Sequence, residues 1–400
     1  MTGKKTLMIL GAGHFMVPAI KTAKEMGLKV LVTDRHPEAE GFNFADFHEV
    51  VDITDIENSI KVAKKYEIDG AIPLNDYGVK TASMIAESLG LIGIKPEVAD
   101  KAVDKRLMRE TWAKAGVPCP DFRILKTFEE AKNAAEEIGF PVIAKPPDSM
   151  GGSRGVFKIN NMEELKRAFD FAKEYSKSGW ILIEEYVDGA ECSVESITYK
   201  GKTHVLAISD KTKLPPPYRV DKSVTYPTKH PIEVQKEIEK VTKEAIDAIG
   251  IDMSASHLEL SVTDKGIKTF EVGARTGGGG IIPAIQVPIV YGVNMMKETI
   301  KIALGEKPVV NKENKLHGSV LRFITPKPGK VRKITGLVEA MKLKGVVAGA
   351  SFVKPGDSVS PIRSGTDRPG YLVTEGENRE DAIKIADIAE SLIKIETEES

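Results

Sequence analysis

Two glutamates stand on neighbouring strands of a predicted β-hairpin, in the segment HLELSVTDKGIKTFEVGAR. Apolar and polar residues alternate along it, as they do in strands with one buried face. The tripeptide DKG is typical of a three-residue hairpin loop with glycine in the left-handed conformation. If Thr263 pairs with Ile267, Glu259 lies directly opposite Glu271, on the face away from Phe270. Because like charges in opposite positions destabilise a sheet, this register predicts a divalent cation between the two carboxylates.

A glycine-rich segment, VIAKPPDSMGGSRGVF, follows a predicted strand that ends at Lys145. Glycines let backbone N–H groups approach phosphate oxygens closely. The further donors and charge in this segment come from Ser149, Ser153 and Arg154. The GxxxxGK[ST] spacing of a P-loop is absent. The segment is therefore either a phosphate-binding loop of another kind or an ordinary surface loop.

A cluster of acidic residues occurs in ILIEEYVDGAECSV, where a strand ends in Glu184 and Glu185 and a turn leads to Glu191. Acidic residues at the end of a strand are most often solvated. The same place would suit adenosine, because adenine needs backbone groups and an acceptor while the ribose hydroxyls need a nearby carboxylate. The residues alone leave both interpretations open.

The composition is that of an ordinary globular chain: 400 residues, 41% hydrophobic and 29% charged, enough for two or three domains. A net charge of −1 gives no reason to expect nucleic acid or an anionic membrane surface as a partner. Cys119 and Cys192 are the only cysteines, so neither a disulfide framework nor a cysteine-based zinc site is indicated. The first apolar run, LMIL, is too short for a signal peptide or a membrane span. We expect a cytoplasmic protein.

The order of predicted elements indicates a mixed fold, part α/β and part α+β. Strands alternate with amphipathic helices over about the first hundred residues, which favours an open parallel sheet. From Pro141 the pattern becomes hairpin-like, and a long amphipathic helix, EVQKEIEKVTKEAIDAIG, leads to the two-glutamate hairpin. Short strands and a final helix over 379–393 follow. The last residues, ETEES, are expected to form a frayed acidic tail.

The first strand is followed by LGAGHFMVP, which suggests a dinucleotide site. A dinucleotide fingerprint requires a third glycine, but Met16 occupies that position, while Asp34 at the end of the second strand fits a ribose-binding acid. An NAD(P)-dependent oxidoreductase is therefore an alternative of a different class. A glycine turn that supports the fold, or that touches a substrate other than a nucleotide, is the simpler interpretation.

Other segments offer weaker signals for a substrate site. The proline-rich stretch 210–231 is predicted as a long irregular connection, in which Tyr218, Arg219 and Tyr226 could contact substrate. Arg363 and Arg368, among prolines and glycines, have the character of ordinary solvated charges. His257, beside the two-glutamate pair, is expected to be packed and hydrogen-bonded rather than a ligand or base.

The order of the motifs DKRLM, VIAKP with its glycine-rich loop, EEYVDGAE, HLEL and FEVGAR resembles the ATP-grasp superfamily of carboxylate–amine ligases. The similarity covers nearly the whole chain. It implies an ATP-grasp fold with an N-terminal Rossmann-like parallel-sheet domain and a β-rich C-terminal segment. The implied parts are 1–102 before the ATP-grasp unit, 103–190 as its small subdomain with the lid loop, 191–310 as its large subdomain and 311–400 as the C-terminal segment.

The resemblance also implies roles for individual residues. Glu259 and Glu271 are the expected ligands of Mg²⁺ or Mn²⁺, and Arg275 and Lys145 are the expected catalytic residues. The residues expected to bind ATP are Lys105, Lys145, Ser149, Gly151, Gly152, Ser153, Glu184, Glu185, Val187 and Glu191. Many relatives carry asparagine as a further metal ligand two residues after the second metal glutamate, where this chain has Gly273.

Small residues at that position, and the sequence GARTGGGG, resemble the L-amino-acid ligase branch. The implied activity is ATP-dependent activation of a small carboxylic acid, such as an amino acid, as an acyl phosphate, which an amine then attacks. The implied partners are a small-molecule carboxylate and an amine, and the superfamily suggests a homodimer. Open alternatives are a purine-biosynthesis or carboxylase-type enzyme that uses formate or bicarbonate, and a catalytically silent nucleotide-binding protein.

Overall fold

The N-terminal part of the chain forms a four-stranded parallel sheet, as the alternation of strands and helices predicts. The computed structural model describes residues 3–313 and 317–398. The strand order is β3-β2-β1-β4. The strands are β1 (Thr6–Leu10), β2 (Lys29–Asp34), β3 (Phe47–Val50) and β4 (Gly70–Pro73), and the helices are α1 (Val17–Glu25), α2 (Ile56–Lys65) and α3 (Asp76–Leu89). Side chains of β1 alternate between the two faces, so Ile9 packs with α1 and Met8 with α2 and α3.

Two helices, α4 (Pro96–Val103) and α5 (Lys105–Ala115), lead from this sheet to a small antiparallel one. Helix α5 begins where the Asp104 side chain accepts a hydrogen bond from the Arg106 N–H, and it ends at Gly116 with φ 73°. The small sheet has the order β5-β8-β6-β7. Its strands are β5 (Phe122–Leu125), β6 (Val142–Lys145), β7 (Phe157–Ile159) and β8 (Ile181–Glu185), covered by α6 (Phe128–Ile138) and α7 (Met162–Tyr175).

An eight-stranded antiparallel sheet forms the largest layer, in the order β13-β12-β9-β10-β11-β14-β18-β16. Its strands are β9 (Ala190–Tyr199), β10 (Lys202–Lys213), β11 (Asp221–Tyr226), β12 (Met253–Thr263), β13 (Gly266–Gly273), β14 (Gly318–Phe323), β16 (Val346–Ser351) and β18 (Gly370–Gly376). The helices against it are α8 (Ile232–Ile249), α9 (Val287–Tyr291), α10 (Met295–Ala303), α11 (Leu337–Met341) and α12 (Arg379–Leu392). This sheet runs through the predicted boundary at 310, because β14 pairs directly with β11.

The acidic tail was wrongly expected to be frayed. Residues Lys394–Glu398 form β19, which pairs antiparallel with β15 (Gly329–Thr335), and β17 (Ser358–Val359) completes this third antiparallel sheet. The last two residues of the tail lie outside the described part of the chain. Among the described helices, none is both long enough and apolar enough to span a bilayer.

The two-glutamate hairpin has the predicted pairing of Glu259 with Glu271, but the turn and the strand differ from the prediction. Thr263 pairs with Gly266 rather than with Ile267, which leaves a two-residue loop. A β-bulge between Glu259 and Leu260 then shifts the register by one residue. As a result, Phe270 lines the same cleft as the glutamates instead of facing away from them.

The proline-rich stretch 210–231 contains the end of one strand and the whole of another, which the sequence analysis did not predict. Strand β10 extends to Lys213 and β11 begins at Asp221, so only residues 214–220 connect them. The two strands pair with each other from Asp210 opposite Thr225 onward. Prolines are tolerated because they fall in the connection and after β11, where no ladder hydrogen bond is required.

Candidate functional site

A cleft of about 330 Å³ is lined by the parallel sheet, the small antiparallel sheet and the eight-stranded sheet. This volume lies within the range of small-molecule sites. Every residue predicted for the site lines this cleft: Lys105, Lys145, Ser149, Gly151, Gly152, Ser153, Glu184, Glu185, Val187, Glu191, Glu259, Glu271 and Arg275. The fold therefore brings together residues that are up to 170 positions apart in the chain (Lys105 to Arg275).

Each glutamate of the hairpin faces a lysine across the cleft. Lys211 Nζ lies 2.6 Å from Glu259 Oε1, and Lys105 Nζ lies 2.9 Å from Glu271 Oε1. Burial opposes ionisation of Glu259, but Lys211 and His257 outweigh it and hold the pKa of that carboxyl well below its usual range. The structure therefore shows an ionised Glu259 whose charge is balanced by a buried ammonium group.

Lys211 was missed in the sequence analysis. It alternates with Lys213 on one face of β10, and its Nζ also lies 3.0 Å from Asp221 Oδ2. Burial disfavours the charged form of Lys211, but Asp221 and Glu259 outweigh it and raise the pKa of this lysine. The only available signal was the i, i+2 spacing of two lysines in DKTK, which is common on exposed strands.

A buried ion cluster holds Lys145 at the end of β6. Lys145 Nζ lies 2.6 Å from Glu184 Oε2, and Arg109 Nε donates to Glu184 Oε1 at 2.8 Å. Burial lowers the pKa of Lys145 to about 8; Glu184 opposes this shift, and Arg109 strengthens it. Glu184 is thus fully buried between two cations rather than solvated at a strand end. Arg109, in the middle of α5, was not predicted.

The glycine-rich loop lies over the cleft and touches distant parts of the chain. Lys105 Nζ donates to Ser149 O at 2.9 Å, and Arg154 Nη1 donates to the Tyr77 hydroxyl at 2.8 Å. On the other side, the N–H of Gly365 donates to Gly152 O at 2.7 Å. Gly152 has φ +71°, a conformation that other residues adopt only with strain. The loop is therefore held from both the N-terminal sheet and the C-terminal segment.

Glu191, the expected ribose-binding acid, is already paired on the cleft wall. Lys213 Nζ lies 2.8 Å from Glu191 Oε2, and Arg219 donates to Oε1 of the same carboxylate. Tyr218, named with Arg219 as a possible substrate contact, instead packs its ring against Phe157. Tyr226, the third candidate, is fully buried, so only Arg219 of the three lines the cleft.

Arg275 is held by Asp76, the first residue of α3, which the sequence analysis did not name. Arg275 Nε and Nη2 donate to Asp76 Oδ1 and Oδ2 at 2.8 and 2.9 Å, a bidentate pair. Burial opposes both charges, but each partner stabilises the other, so the pKa of Asp76 is lowered and that of Arg275 raised. Asp76 begins α3 directly after β4, in a sequence (LNDYG) that is equally typical of a plain helix cap.

This pair explains Gly273. A Cβ atom at position 273 would lie 2.8 Å from Asp76 Oδ1 and 3.1 Å from Arg275 Nε, closer than van der Waals contact allows. An asparagine ligand at this position would therefore displace the ion pair. The glycine makes room for an arginine that is anchored from α3.

His257 is packed and hydrogen-bonded, in line with its expected role. Its Nδ1 lies 2.5 Å from the buried Glu195 Oε1, and Glu195 Oε2 accepts the N–H of Gly277 at 3.1 Å. Burial lowers the basicity of His257, but Glu195 outweighs it and raises its pKa to about 9. A side chain at 277 would overlap the His257 ring, so this glycine is required by packing.

The glycine turn after β1 does not form a dinucleotide site. Asp34 Oδ2 accepts the N–H of Ala12 at 2.9 Å and Oδ1 accepts the N–H of His36 at 3.0 Å, so the carboxylate that would bind ribose stabilises its own turn. The following loop is covered by the glycine run 277–280, where Gly280 N–H donates to Phe15 O at 2.7 Å.

Two family models match the chain. An ATP-grasp domain matches residues 138–284, and an L-amino acid ligase C-terminal domain 2 matches residues 322–398. Together they contain most of the cleft residues described above.

Relatives among known proteins are distant in sequence. The chain is 28% identical over 290 residues to an alanine–anticapsin ligase of Bacillus subtilis, a match that covers 67% of this chain and 60% of that one. It is 26% identical over 375 residues to an uncharacterized protein of Sinorhizobium fredii, covering 91% of this chain and 77% of that one. The chain thus spans three fifths of the length of the ligase it matches.

Solved structures share the fold along the whole chain. The L-amino acid ligase from Bacillus licheniformis has a TM-score of 0.86 at 21% identity, covering 100% of both chains. Phosphoribosylglycinamide synthetase from Anaerococcus prevotii has a TM-score of 0.79 at 23% identity, covering 99% of this chain and 100% of that one. At these identities the likeness establishes the fold, which is the mixed α/β and α+β class predicted.

Proposed function

We propose that this chain, which belongs to the ATP-grasp superfamily and carries an L-amino acid ligase C-terminal domain, joins an amino acid to an amine at the expense of ATP. The observation that carries the proposal is the opposition of Glu259 and Glu271 in a cleft that also holds Lys105 and Lys145. Each carboxylate already has one lysine partner, Lys211 for Glu259 and Lys105 for Glu271, and a divalent cation between the carboxylates and the nucleotide would offset the remaining repulsion between them and the phosphates.

The residues present fit Mg²⁺ or Mn²⁺. Both metals prefer oxygen ligands, and the two hairpin carboxylates supply them on directly paired strands. Because Gly273 offers no side chain, the protein would contribute fewer ligands than in relatives with asparagine there, and Mg²⁺ commonly retains waters. When bound to Glu259 and Glu271, the ion would supply positive charge that neutralises phosphate charge during transfer.

The nucleotide would lie between the two lysines and the glycine-rich loop. Lys145 and Lys105 would offset phosphate charge, and the loop's backbone N–H groups would face phosphate oxygens. The backbone at Val187 would contact adenine. For the ribose hydroxyls, Glu191 is the candidate acceptor; its oxygens are shared with Lys213 and Arg219, which fix its position.

The reaction would proceed in two transfers. An oxygen of the substrate carboxylate attacks the γ-phosphorus, and the bond from the γ-phosphorus to the β-phosphate oxygen breaks. ADP departs, and the substrate is now an acyl phosphate. The amine nitrogen then attacks the acyl carbon, and inorganic phosphate departs. Arg275 spends two of its five N–H donors on Asp76 and one on Thr276 O, which leaves one on each Nη for a developing oxyanion. Closure of the glycine-rich loop would protect the acyl phosphate from water.

The activity can be tested directly. The chain should release phosphate when incubated with ATP, Mg²⁺ and the common L-amino acids, and mass spectrometry should detect a product lighter by one water than the sum of two substrates. Release should stop when EDTA removes the metal. If no amino acid, alone or in pairs, stimulates phosphate release above the rate with ATP alone, the proposal is wrong.

The low pKa of Lys145 predicts how ATP affinity changes with pH. ATP binds the protonated lysine, which predominates in the free protein below about pH 8. The Kd for ATP should therefore rise about tenfold between pH 7 and pH 9, as the protonated fraction falls by that factor. Isothermal titration calorimetry would measure this change.

Lys145→Met is the matched control for that experiment. It removes the titrating ammonium group, so the variant should bind ATP more weakly at pH 7 and show a flat profile up to pH 9. A wild-type Kd that stays constant over this range, or a variant with the same slope, would contradict the assignment of Lys145 as a phosphate contact.

A further inference from the structure

Arg368 is not the solvated charge that the sequence suggested. It precedes β18 in the C-terminal segment, and its side chain turns into the cleft. The guanidinium carbon lies 3.5 Å from the centroid of the Phe323 ring. Its Nε donates to Gly365 O at 2.8 Å, and Nη1 donates to Asp221 O at 3.2 Å. Stacking and two backbone acceptors therefore fix the plane of the guanidinium.

In the described part of the chain, Arg368 lacks a carboxylate partner, which most other cationic side chains of the cleft have. Within the described residues, no carboxylate oxygen lies within ion-pair distance of its guanidinium. By contrast, a carboxylate partner is present for Lys105, Lys145, Lys211, Lys213, Arg219 and Arg275. Arg154 also has no carboxylate partner, but it lies on the glycine-rich loop and donates to Tyr77.

Arg368 is partly buried, which makes the missing anion costly. Burial lowers the pKa of Arg368 to about 10, even though Asp221 and Asp367 are near enough to oppose the shift. An arginine has five N–H donors, and the two carbonyls use two of them, so three remain on Nη1 and Nη2. Those two nitrogens form one edge of the guanidinium, and such an edge can bind a carboxylate through two parallel hydrogen bonds.

The surroundings of Arg368 suit a small organic acid better than a nucleotide. The apolar side chains of Val224, Leu321 and Phe323 line the same cleft from β11 and β14. The lysines expected to contact phosphate belong to other elements, α5 and β6. The turn at Gly365 is also hydrogen-bonded to the glycine-rich loop, which covers this end of the cleft and limits access of water.

We propose that Arg368 binds the carboxylate of the amine substrate, which would accordingly be an amino acid with an apolar side chain. This inference rests on the proposed ligase function. The carboxylate that is activated must direct an oxygen at the γ-phosphate and gives up its charge on forming the acyl phosphate. The acceptor's carboxylate keeps its charge throughout both transfers, so a rigid bidentate arginine would hold the acceptor without hindering either step.

The experiment compares acceptors with and without the carboxylate. The wild type is first supplied with ATP, Mg²⁺ and pairs of common L-amino acids, and mass spectrometry identifies the acceptor of the best pair. That acceptor and its carboxamide are then compared by phosphate release. We expect kcat/KM for the free amino acid to exceed that for the carboxamide by about 10- to 100-fold, because the carboxamide cannot form the pair of charge-assisted hydrogen bonds with Arg368.

Arg368→Gln should remove this preference. In the variant, KM for the amino acid should rise by about 10- to 100-fold, whereas kcat/KM for the carboxamide and the Kd for ATP should stay within about threefold of wild type. Arg363→Gln is the matched control, because it removes an exposed arginine from the same segment and should change none of these values. Circular dichroism checks that each variant is folded.

The outcomes separate the two proposals. Equal use of the amino acid and its carboxamide by the wild type would overturn the role of Arg368 even if the variant did not fold. A loss of ATP affinity in Arg368→Gln would assign the arginine to phosphate instead and would also overturn it. If single amino acids stimulate phosphate release but no pair of amino acids yields a product, the acceptor is not an amino acid, and the role of Arg368 is wrong while the ligase function stands. If no amino acid stimulates phosphate release, the ligase function itself is wrong.

Discussion

Glu271→Gln is expected to lower the rate of ADP and phosphate release by at least about 10²–10³-fold while the protein stays folded. The glutamine keeps the shape of the side chain and can still accept a hydrogen bond from Lys105, so the cleft wall should survive. It removes one of the two charges that face each other across the hairpin, and with it most of the attraction for a divalent cation. Steady-state kinetics with ATP and Mg²⁺ measure the loss.

Mn²⁺ binding, followed by electron paramagnetic resonance, provides a readout that does not depend on turnover. It should weaken in Glu271→Gln in the presence of ADP. The control is Asp264→Asn, which removes the same charge at the exposed tip of the same hairpin and should leave both kinetics and metal affinity unchanged. Normal turnover by a folded Glu271→Gln protein would refute the metal assignment.

Arg275→Lys should lower kcat by about 10²–10³-fold, the usual cost of losing an oxyanion donor, with the Kd for ATP changing much less. Lysine retains a positive charge for Asp76, so the buried carboxylate is not left without a counter-ion. It has no planar pair of Nη donors to present to the transferring phosphoryl group or the tetrahedral intermediate. Stopped-time assays of acyl transfer, together with calorimetric titration of ATP, would measure both values.

Arg322→Lys is the matched control, because it makes the same replacement at a buried, paired arginine outside the cleft. Arg322 is also largely buried and also pairs with carboxylates, those of Asp387 and Glu390, but it lies on β14 outside the cleft lining. This control should show near-normal kcat with some loss of thermal stability. If Arg275→Lys behaves in the same way, Arg275 serves only to join α3 to the hairpin.

Local sequence was enough to single out parts of the cleft, whereas Lys105, Val187 and Arg275 were assigned only through the resemblance to the ATP-grasp superfamily. The acidic hairpin, the glycine-rich loop and the strand-end acids carry signals within ten or so residues each, because strand alternation and loop chemistry are local properties. The order of these motifs along the chain then indicated the ATP-grasp fold. What remained uncertain was how each side chain would be paired. Glu184 could equally have been solvated, and only the packing of α5 against the small sheet brings Arg109 to it.

Gly273 is a second case in which the sequence showed a residue but not the contact that explains it. Its presence was visible in the sequence as a missing metal ligand, but its cause was not. The cause is Asp76, a residue 197 positions earlier in the chain (from 76 to 273), whose carboxylate occupies the space that a side chain would need. Contacts between residues so far apart leave no periodic signature.

By itself, the sequence determined the strand–helix alternation of the N-terminal sheet and the hairpin that carries Glu259 and Glu271, because period-two and 3.6-residue patterns follow from backbone geometry alone. The set of residues expected at one cleft came from the resemblance to the ATP-grasp superfamily. Tertiary structure decided the rest: the bulge that turns Phe270 into the cleft, the pairing of Arg275 with Asp76, the strand formed by the acidic tail and the burial of Arg368. Each of these depends on what a distant segment places beside the residue. The same arginine is a solvated charge when nothing covers it and an anion-binding group when Phe323 and the glycine-rich loop do.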